Sequence, residues 1–313
     1  MSATDIFAAR MRLQSRLRVR LEQSGYQEVA TFALQPAPGM DLQLDPISAI
    51  YRPLMDRRLA ERMLYLHTSP EFAMKRLLCR GMKKIYQLGP AFRQGELGPL
   101  HTPEFTIAEW YQAGWTWLEL MQETEKIVCD LLEGTAIVRA KKISLSPPLP
   151  RLAVDEAFRQ VGVDLSRWDR LDHQQYRESF ERAYLDKLEP WLAEQGALFL
   201  TRFPEPLALL AKLEPGPEPT AERFELIVGG IELANGCSEL TAPDENLDRI
   251  NRDLEARKRL GKAAPPLPRE FINDLKKFGL PECAGVALGV DRLAMIALGA
   301  DKIEQVQALP FGA

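Results

Sequence analysis

Residues 224–239, Phe-Glu-Leu-Ile-Val-Gly-Gly-Ile-Glu-Leu-Ala-Asn-Gly-Cys-Ser-Glu, constrain this chain more than any other stretch of it. Two β-prone runs meet at Gly229-Gly230, a pair that accepts the positive φ angles of a tight hairpin turn. With that pair in the turn, residue 227 pairs with 232, and Glu225 and Glu232 fall on one face as diagonal neighbours. Carboxylates held so close repel each other unless a cation lies between them. Mg²⁺ on the phosphates of ATP takes one or two carboxylates plus phosphate oxygens, so the pair suits an ATP–metal site. A solvated polar face on a hairpin is the other reading, and the hairpin alone leaves both open.

The rest of the chain mixes helices with antiparallel-looking strands and lacks a regular βαβ alternation, which predicts an α+β fold. Leu13, Leu17 and Leu21, beside Phe7 and Met11, predict an amphipathic helix over 5–24 that Gly25 ends. A strand is expected from Tyr26 to Leu34, and the stretch from Gly39 to Leu64 is left unassigned. Thr68-Ser69-Pro70-Glu71 reads as a helix start. Lys84–Arg93 and Glu104–Gln112 read as strands around a loop over 94–103, followed by a helix over Thr116–Leu132. Lys141–Pro150 reads as a proline-rich connection and 151–195 as a charged helical insertion. Strands at Gly196–Phe203, Arg223–Val228 and Ile231–Ala234, then a helix over 243–260, precede a loop with Pro265, Pro266 and Pro268.

Composition removes several classes of function. No apolar run approaches the roughly 18 to 20 residues of a membrane span, and no basic, apolar leader opens the chain, so the cytoplasm is expected. A net charge of −4 gives no global basic field for nucleic acid. Cys79, Cys129, Cys237 and Cys283, with three scattered histidines, have neither zinc-site nor disulfide-framework spacing.

Strand alternation over 104–112 places Phe105, Ile107, Glu109 and Tyr111 on one face and Thr106, Ala108 and Trp110 on the other. With Glu239, Asn235 and Glu71, that first face could surround an ammonium-bearing ligand, since a buried cation needs paired charge and acceptors. Ordinary amphipathic strand decoration is the alternative. Arg93 before a glycine-containing loop, and Arg292 after Gly285 and Gly289, could clamp a polyphosphate. Neither segment is a Walker A loop or a dinucleotide fingerprint.

In this order the segments resemble the three signature motifs of class II aminoacyl-tRNA synthetases. The helix and strand ending at Pro36 resemble motif 1, Phe92-Arg93 through His101-Thr-Pro-Glu-Phe105 motif 2, and Gly285-Val-Ala-Leu-Gly-Val-Asp-Arg292 motif 3. Thr68-Ser-Pro-Glu71, Glu109-Trp-Tyr111 and Gly230-Ile-Glu-Leu-Ala-Asn-Gly236 with Glu239 are similar to the lysyl subgroup. The chain begins at the motif 1 helix, where lysyl-tRNA synthetases carry an anticodon-binding domain first. That architecture resembles the elongation factor P–(R)-β-lysine ligases, stand-alone cores that aminoacylate a protein lysine. Ala287 stands where the synthetases usually have glycine. Gly95 takes the place of the usual motif 2 glutamate, with Glu96 after it, and Pro99 and Thr102 replace a common basic residue and asparagine.

The resemblance implies one catalytic domain over 1–313 that dimerises, uses ATP and Mg²⁺, and acts on (R)-β-lysine and elongation factor P, with tRNA unlikely as a partner. It assigns Arg93 to the α-phosphate and substrate carboxylate, and Arg292 to the γ-phosphate. Gln94, Gly95, Glu96, His101, Thr102, Leu233 and Gly289 join the ATP site, with Phe105 on adenine and Glu225 and Glu232 on Mg²⁺. Ser69 and Glu71 are assigned to the amino group near the carboxylate, Glu109, Tyr111, Asn235 and Glu239 to the distal ammonium, and Ala287 to the pocket shape. Arg93, Glu232 and Arg292 carry catalysis by position and charge, with no covalent nucleophile. Two other readings share the fold: a truncated lysyl-tRNA synthetase paralogue using α-lysine, and a non-catalytic binding relative.

Overall fold

The computed structural model describes residues 2–39, 42–53, 60–216 and 219–309. Helix α1 (Ala3–Gln23) starts at a capping box, in which the Ser2 hydroxyl accepts from Asp5 N and the Asp5 carboxylate accepts from Ser2 N. Leu13, Leu17 and Leu21 are buried as expected, whereas Met11 is exposed. In place of one strand over Tyr26–Leu34 there are two short ones, β1 (Gln27–Glu28) and β2 (Leu34–Gln35). The side chain of Gln87 takes the backbone N–H of Thr31 at 2.8 Å, which ends the first ladder. Strands β3 (Ser48–Tyr51) and β4 (Arg62–Leu66) lie in the unassigned stretch and join β2 in a small sheet ordered β2-β4-β3. Residues 40, 41 and 54–59 of that stretch lie outside the described residues.

Helix α2 (Glu71–Cys79), strands β5 (Lys84–Phe92) and β6 (Glu104–Ala113), and helix α3 (Trp117–Leu131) fall where the sequence placed them. The connection over 141–150 opens instead as a strand: β8 (Lys141–Ser144) pairs with β7 (Thr135–Val138), opposing Ile143 to Ala136. Within 151–195, β9 (Arg151–Ala153) precedes α4 (Val154–Gln160), α5 (His173–Ala183) and α6 (Glu189–Leu192). Then come β10 (Ala197–Pro204), β11 (Leu213–Glu214), β12 (Thr220–Val228), β13 (Ile231–Ser238), α7 (Pro243–Arg259), α8 (Arg269–Phe278), β14 (Cys283–Gly289) and α9 (Val290–Leu298).

The main sheet is ordered β1-β5-β6-β14-β13-β12-β10-β9, with β11 against β12. Its middle is antiparallel, as expected for the class; the edge pairs β1–β5 and β9–β10 are parallel, so the whole sheet is mixed. One face packs on α1, α3 and α9 through Tyr86, Trp110, Leu226, Val286 and their neighbours. The opposite face carries two smaller cores. Phe72, Met74, Phe271 and Leu275 form one on α2 and α8, and Phe158, Phe180, Leu198 and Leu200 form the other on α4 and α5. The helical segment over 154–192 therefore buries its apolar side on β10 and β12. Between these two cores the sheet face stays open, and that opening holds the cavity.

Candidate active site

The cavity encloses about 360 Å³, enough for a small ligand. Its floor is the middle of the sheet, where register sets side chains in rows. Glu225, Asn235, Ala287 and Glu109 lie side by side across β12, β13, β14 and β6, and the next row is Arg223, Cys237, Gly285 and Tyr111. The β12–β13 hairpin turns at Gly229-Gly230, both with positive φ, and residue 227 opposes 232 as the spacing required. A bulge between Leu226 and Ile227 then changes the register, so that Glu225 faces Asn235. The Nδ2 of Asn235 donates to Glu225 at 3.2 Å and to Glu232 at 3.4 Å, joining the two carboxylates through an amide.

At one end of the cavity, Glu109 is buried and accepts from Ser69 Oγ at 2.7 Å and Tyr111 OH at 2.6 Å. Burial, reinforced by Glu71, pushes its carboxyl up to about 7, against the pull of those hydrogen bonds. Glu239 is likewise raised to about 7 by burial, with Lys75 holding it down. The Lys75 ammonium lies 2.6 Å from Glu71 and 2.5 Å from Glu239, and these two acids outweigh the burial that would discharge it. Gly285 makes room for this arrangement, since a Cβ there would stand 2.2 Å from the Tyr111 ring and 2.7 Å from Glu239 Oε1.

At the other end the 94–103 loop folds back on itself, with Gly98 N donating to His101 O at 3.1 Å. Gly95 holds a φ of +79°, the physical reason for glycine where the related motif has glutamate. Arg93 lies over the Phe105 ring at 4.8 Å and 3.5 Å from Glu96, and its buried Nε has no partner among the described residues. A buried donor left so calls for an acceptor from outside. Arg292 donates to the carbonyl of Glu232 at 2.9 Å, to that of Leu100 at 3.3 Å and to His101 Nε2 at 2.7 Å. Burial and Arg292 together hold the His101 ring below its usual range, so it stands as a neutral acceptor.

The cavity wall includes Ser69, Glu71, Glu109, Tyr111, Asn235, Glu239 and Ala287, and also Arg93, Glu96, His101, Thr102, Phe105, Glu232, Leu233, Gly289 and Arg292. Three expected residues lie off that wall. Gln94 and Gly95 are exposed in a turn at the start of the loop, and Glu225 is buried one layer behind, paired with Arg223 at 2.7 Å. Burial and Glu232 push the Glu225 carboxyl up to about 8 even beside that arginine, so the pair of acids remains short of positive charge. Among the described residues no trio of His, Cys, Asp or Glu is grouped to hold a metal alone. Mg²⁺ on a nucleotide needs one or two carboxylates, so the residues present fit it.

Sequence reasoning missed Lys75, Arg223 and Arg10. Lys75 is four residues from Glu71 and Arg223 two from Glu225, spacings that put each beside its partner on a helix or a strand. Arg10 reaches Asp291 across the chain, and nothing local in the sequence signals it.

The family model of tRNA synthetases class II (D, K and N) matches residues 1–312. The elongation factor P–(R)-β-lysine ligase of Yersinia enterocolitica is 36% identical over 97% of this chain and 94% of its own length. Proteins of the same name from Photorhabdus laumondii, 39% identical over 78% of this chain and 77% of their own, and Vibrio cholerae, 41% over 79% and 78%, are also similar. With a mostly antiparallel sheet, an arginine-lined loop and the β14–α9 junction all in place, the chain belongs to the class II tRNA synthetase family.

Proposed function

We propose that this chain activates (R)-β-lysine with ATP and transfers it to the ε-amine of a lysine of elongation factor P. In the first step a carboxylate oxygen of the amino acid attacks the α-phosphorus and pyrophosphate leaves. In the second the neutral amine attacks the adenylate carbonyl, AMP leaves, and the amide sheds its proton. The observation that carries this reading is that one cavity has three carboxylates, Glu71, Glu109 and Glu239, at one end and Arg93 and Arg292 at the other. A substrate with ammonium groups and a carboxylate has one orientation there, its carboxylate toward the arginines. The acceptor and the β-amino acid rest on the names of the similar proteins.

On this reading Arg93 holds the α-phosphate and the substrate carboxylate, and Arg292, aimed by His101, holds the γ-phosphate. Adenine lies on Phe105, near the backbone of Thr102, with Glu96, Leu233 and Gly289 around the nucleotide. Ser69 and Glu71 take the nearer amino group, and Glu109, Tyr111, Asn235 and Glu239 the distal one, with Ala287 shaping the space between. Glu225 and Glu232 would hold Mg²⁺, which when bound neutralises phosphate charge. Catalysis by these residues is positional and electrostatic. The same reading makes residues 1–313 one catalytic unit, a homodimer working in the cytoplasm. No helix among the described residues is long and apolar enough to cross a membrane.

The test is the intact mass of elongation factor P after incubation with the protein, ATP, Mg²⁺ and either (R)-β-lysine or α-lysine. A gain of one lysyl unit, faster with the β-isomer, is expected. No gain with either isomer rejects the proposal.

A further inference from the structure

Lys75 is 1% exposed and stands behind the cavity wall, yet its ammonium touches two acids that form that wall, Glu71 and Glu239. We infer that Lys75 is a specificity-determining residue: its fixed charge offsets one of the three carboxylates at this end, leaving two for the two ammonium groups of a diamino acid. The inference rests on the proposed function and deepens it.

The charges can be counted because the other titratable groups facing the cluster are neutral. Tyr111 on β6, Cys237 on β13 and Cys283 on β14 are all buried with their ionisation pushed upward, chiefly by that burial. Among the described residues, what remains above pH 7, where Glu109 and Glu239 are charged, is Glu71 on α2, Glu109 on β6 and Glu239 on β13 against the one ammonium of Lys75. Glu109 is held by hydroxyls from Ser69 and Tyr111 and has no cation bonded to it among the described residues. A ligand with one ammonium leaves a buried carboxylate unmatched, and a ligand with three leaves a buried ammonium unmatched; either is costly. Lys75 also keeps Glu239 from rising further, so removing it leaves that carboxyl protonated above pH 7, where in the wild type it is charged. An incoming ammonium must then displace the proton.

The experiment is calorimetric binding at pH 8 of (R)-β-lysine, α-lysine and the single-ammonium analogue norleucine to the wild type, Lys75→Met and Lys75→Arg. Two buffers of different ionisation enthalpy count the protons. Lys75→Met is expected to bind the diamino acids about tenfold more weakly or worse, and to release about one more proton per ligand than the wild type. Lys75→Arg, which keeps the charge, stays within about threefold. Lys75→Met with wild-type affinity and proton count overturns the inference, as does an equal loss for norleucine, which marks a merely structural residue. If Lys75→Met does not fold, a folded Lys75→Arg that no longer separates two-ammonium from one-ammonium ligands overturns it. A wild type that binds neither lysine isomer removes the proposed function and this inference together; one that binds both, with Lys75→Met unchanged, removes the inference alone.

Discussion

Arg10 of α1 donates from both Nε and Nη2 to one oxygen of Asp291, at 2.9 and 2.8 Å, across 281 residues of sequence. The same Nη2 donates to Thr106 Oγ1 at 2.8 Å, and Thr106 N donates to the second Asp291 oxygen at 2.6 Å. Asp291 immediately precedes Arg292, so the first helix and the strand after the loop are tied together at the residue next to the arginine that lines the far end of the cavity.

Arg10→Met therefore strands the Asp291 carboxylate, which is 3% exposed, and is expected to lower stability by about 3 kcal/mol. Freeing Asp291 also loosens Arg292, so the KM for ATP rises more than that for the amino acid. Urea unfolding together with ATP–pyrophosphate exchange checks both. Unchanged stability and an unchanged KM for ATP would show that the network does not position Arg292.

Substitution of Glu232 by Gln leaves the shape of the site and removes the carboxylate that lies 3.8 Å from Arg292. The rate of adenylate formation is expected to fall by about a hundredfold or more, with a higher Mg²⁺ concentration needed for half-maximal rate. Pyrophosphate release over a Mg²⁺ titration is the measurement, and a wild-type Mg²⁺ dependence in the variant would remove Glu232 from the metal site.

Glu109 and Glu239 titrate near 7, well above an ordinary carboxyl at 4.5. They are fully charged only above that value, so the affinity for a diamino acid is expected to rise as pH increases from 6 to 8, by up to about tenfold per unit. The stability of the ligand-free fold moves the other way. An acid whose folded pKa is raised contributes stability that is present below its unfolded pKa and is lost as pH rises through 7. Thermal melts of the free protein should therefore fall between pH 5 and 8 while ligand-induced stabilisation grows, and parallel curves would contradict the raised carboxyls.

The close approach of Gly285 to Tyr111 and Glu239 makes Gly285→Ala a test of the proposal that the amino acid lies at this end. Overpacking there is expected to cost about 2 kcal/mol and to raise the KM for the amino acid while sparing that for ATP. Equal changes in both constants would mean that the two ends of the cavity are not separately built.

Local order was legible in the sequence: the Gly229-Gly230 hairpin, the alternation of β6 and the start of α2 at Thr68-Ser69-Pro70-Glu71 are written in adjacent residues. So were sixteen residues of the cavity wall, because the motif order pointed to them. The bulge at Leu226–Ile227 was not, since a register shift depends on what both strands bury. Nor were the fates of β1 and β2, decided by a side chain of β5. The cations that complete the site, Lys75, Arg223 and Arg10, escaped because a charged residue in sequence reads as solvent-facing until the fold shows what encloses it.

The rows across the sheet have one further consequence. Arg223 and Glu225, Asn235 and Glu239, Gly285 and Ala287, Glu109 and Tyr111 all carry odd numbers, while Ala108, Trp110, Leu226, Ala234, Val286 and Leu288, packed on the opposite face, carry even ones. Chemistry and packing are thus separated by parity along the four strands except at the bulge, where Glu232 faces the cavity and Leu233 joins the apolar core. A point substitution at an odd position can retune what the cavity accepts without disturbing the helices behind the sheet. Losing a single residue from β6 does the reverse: it would exchange the two sets, carrying Trp110 into the cavity and Glu109 into the apolar layer.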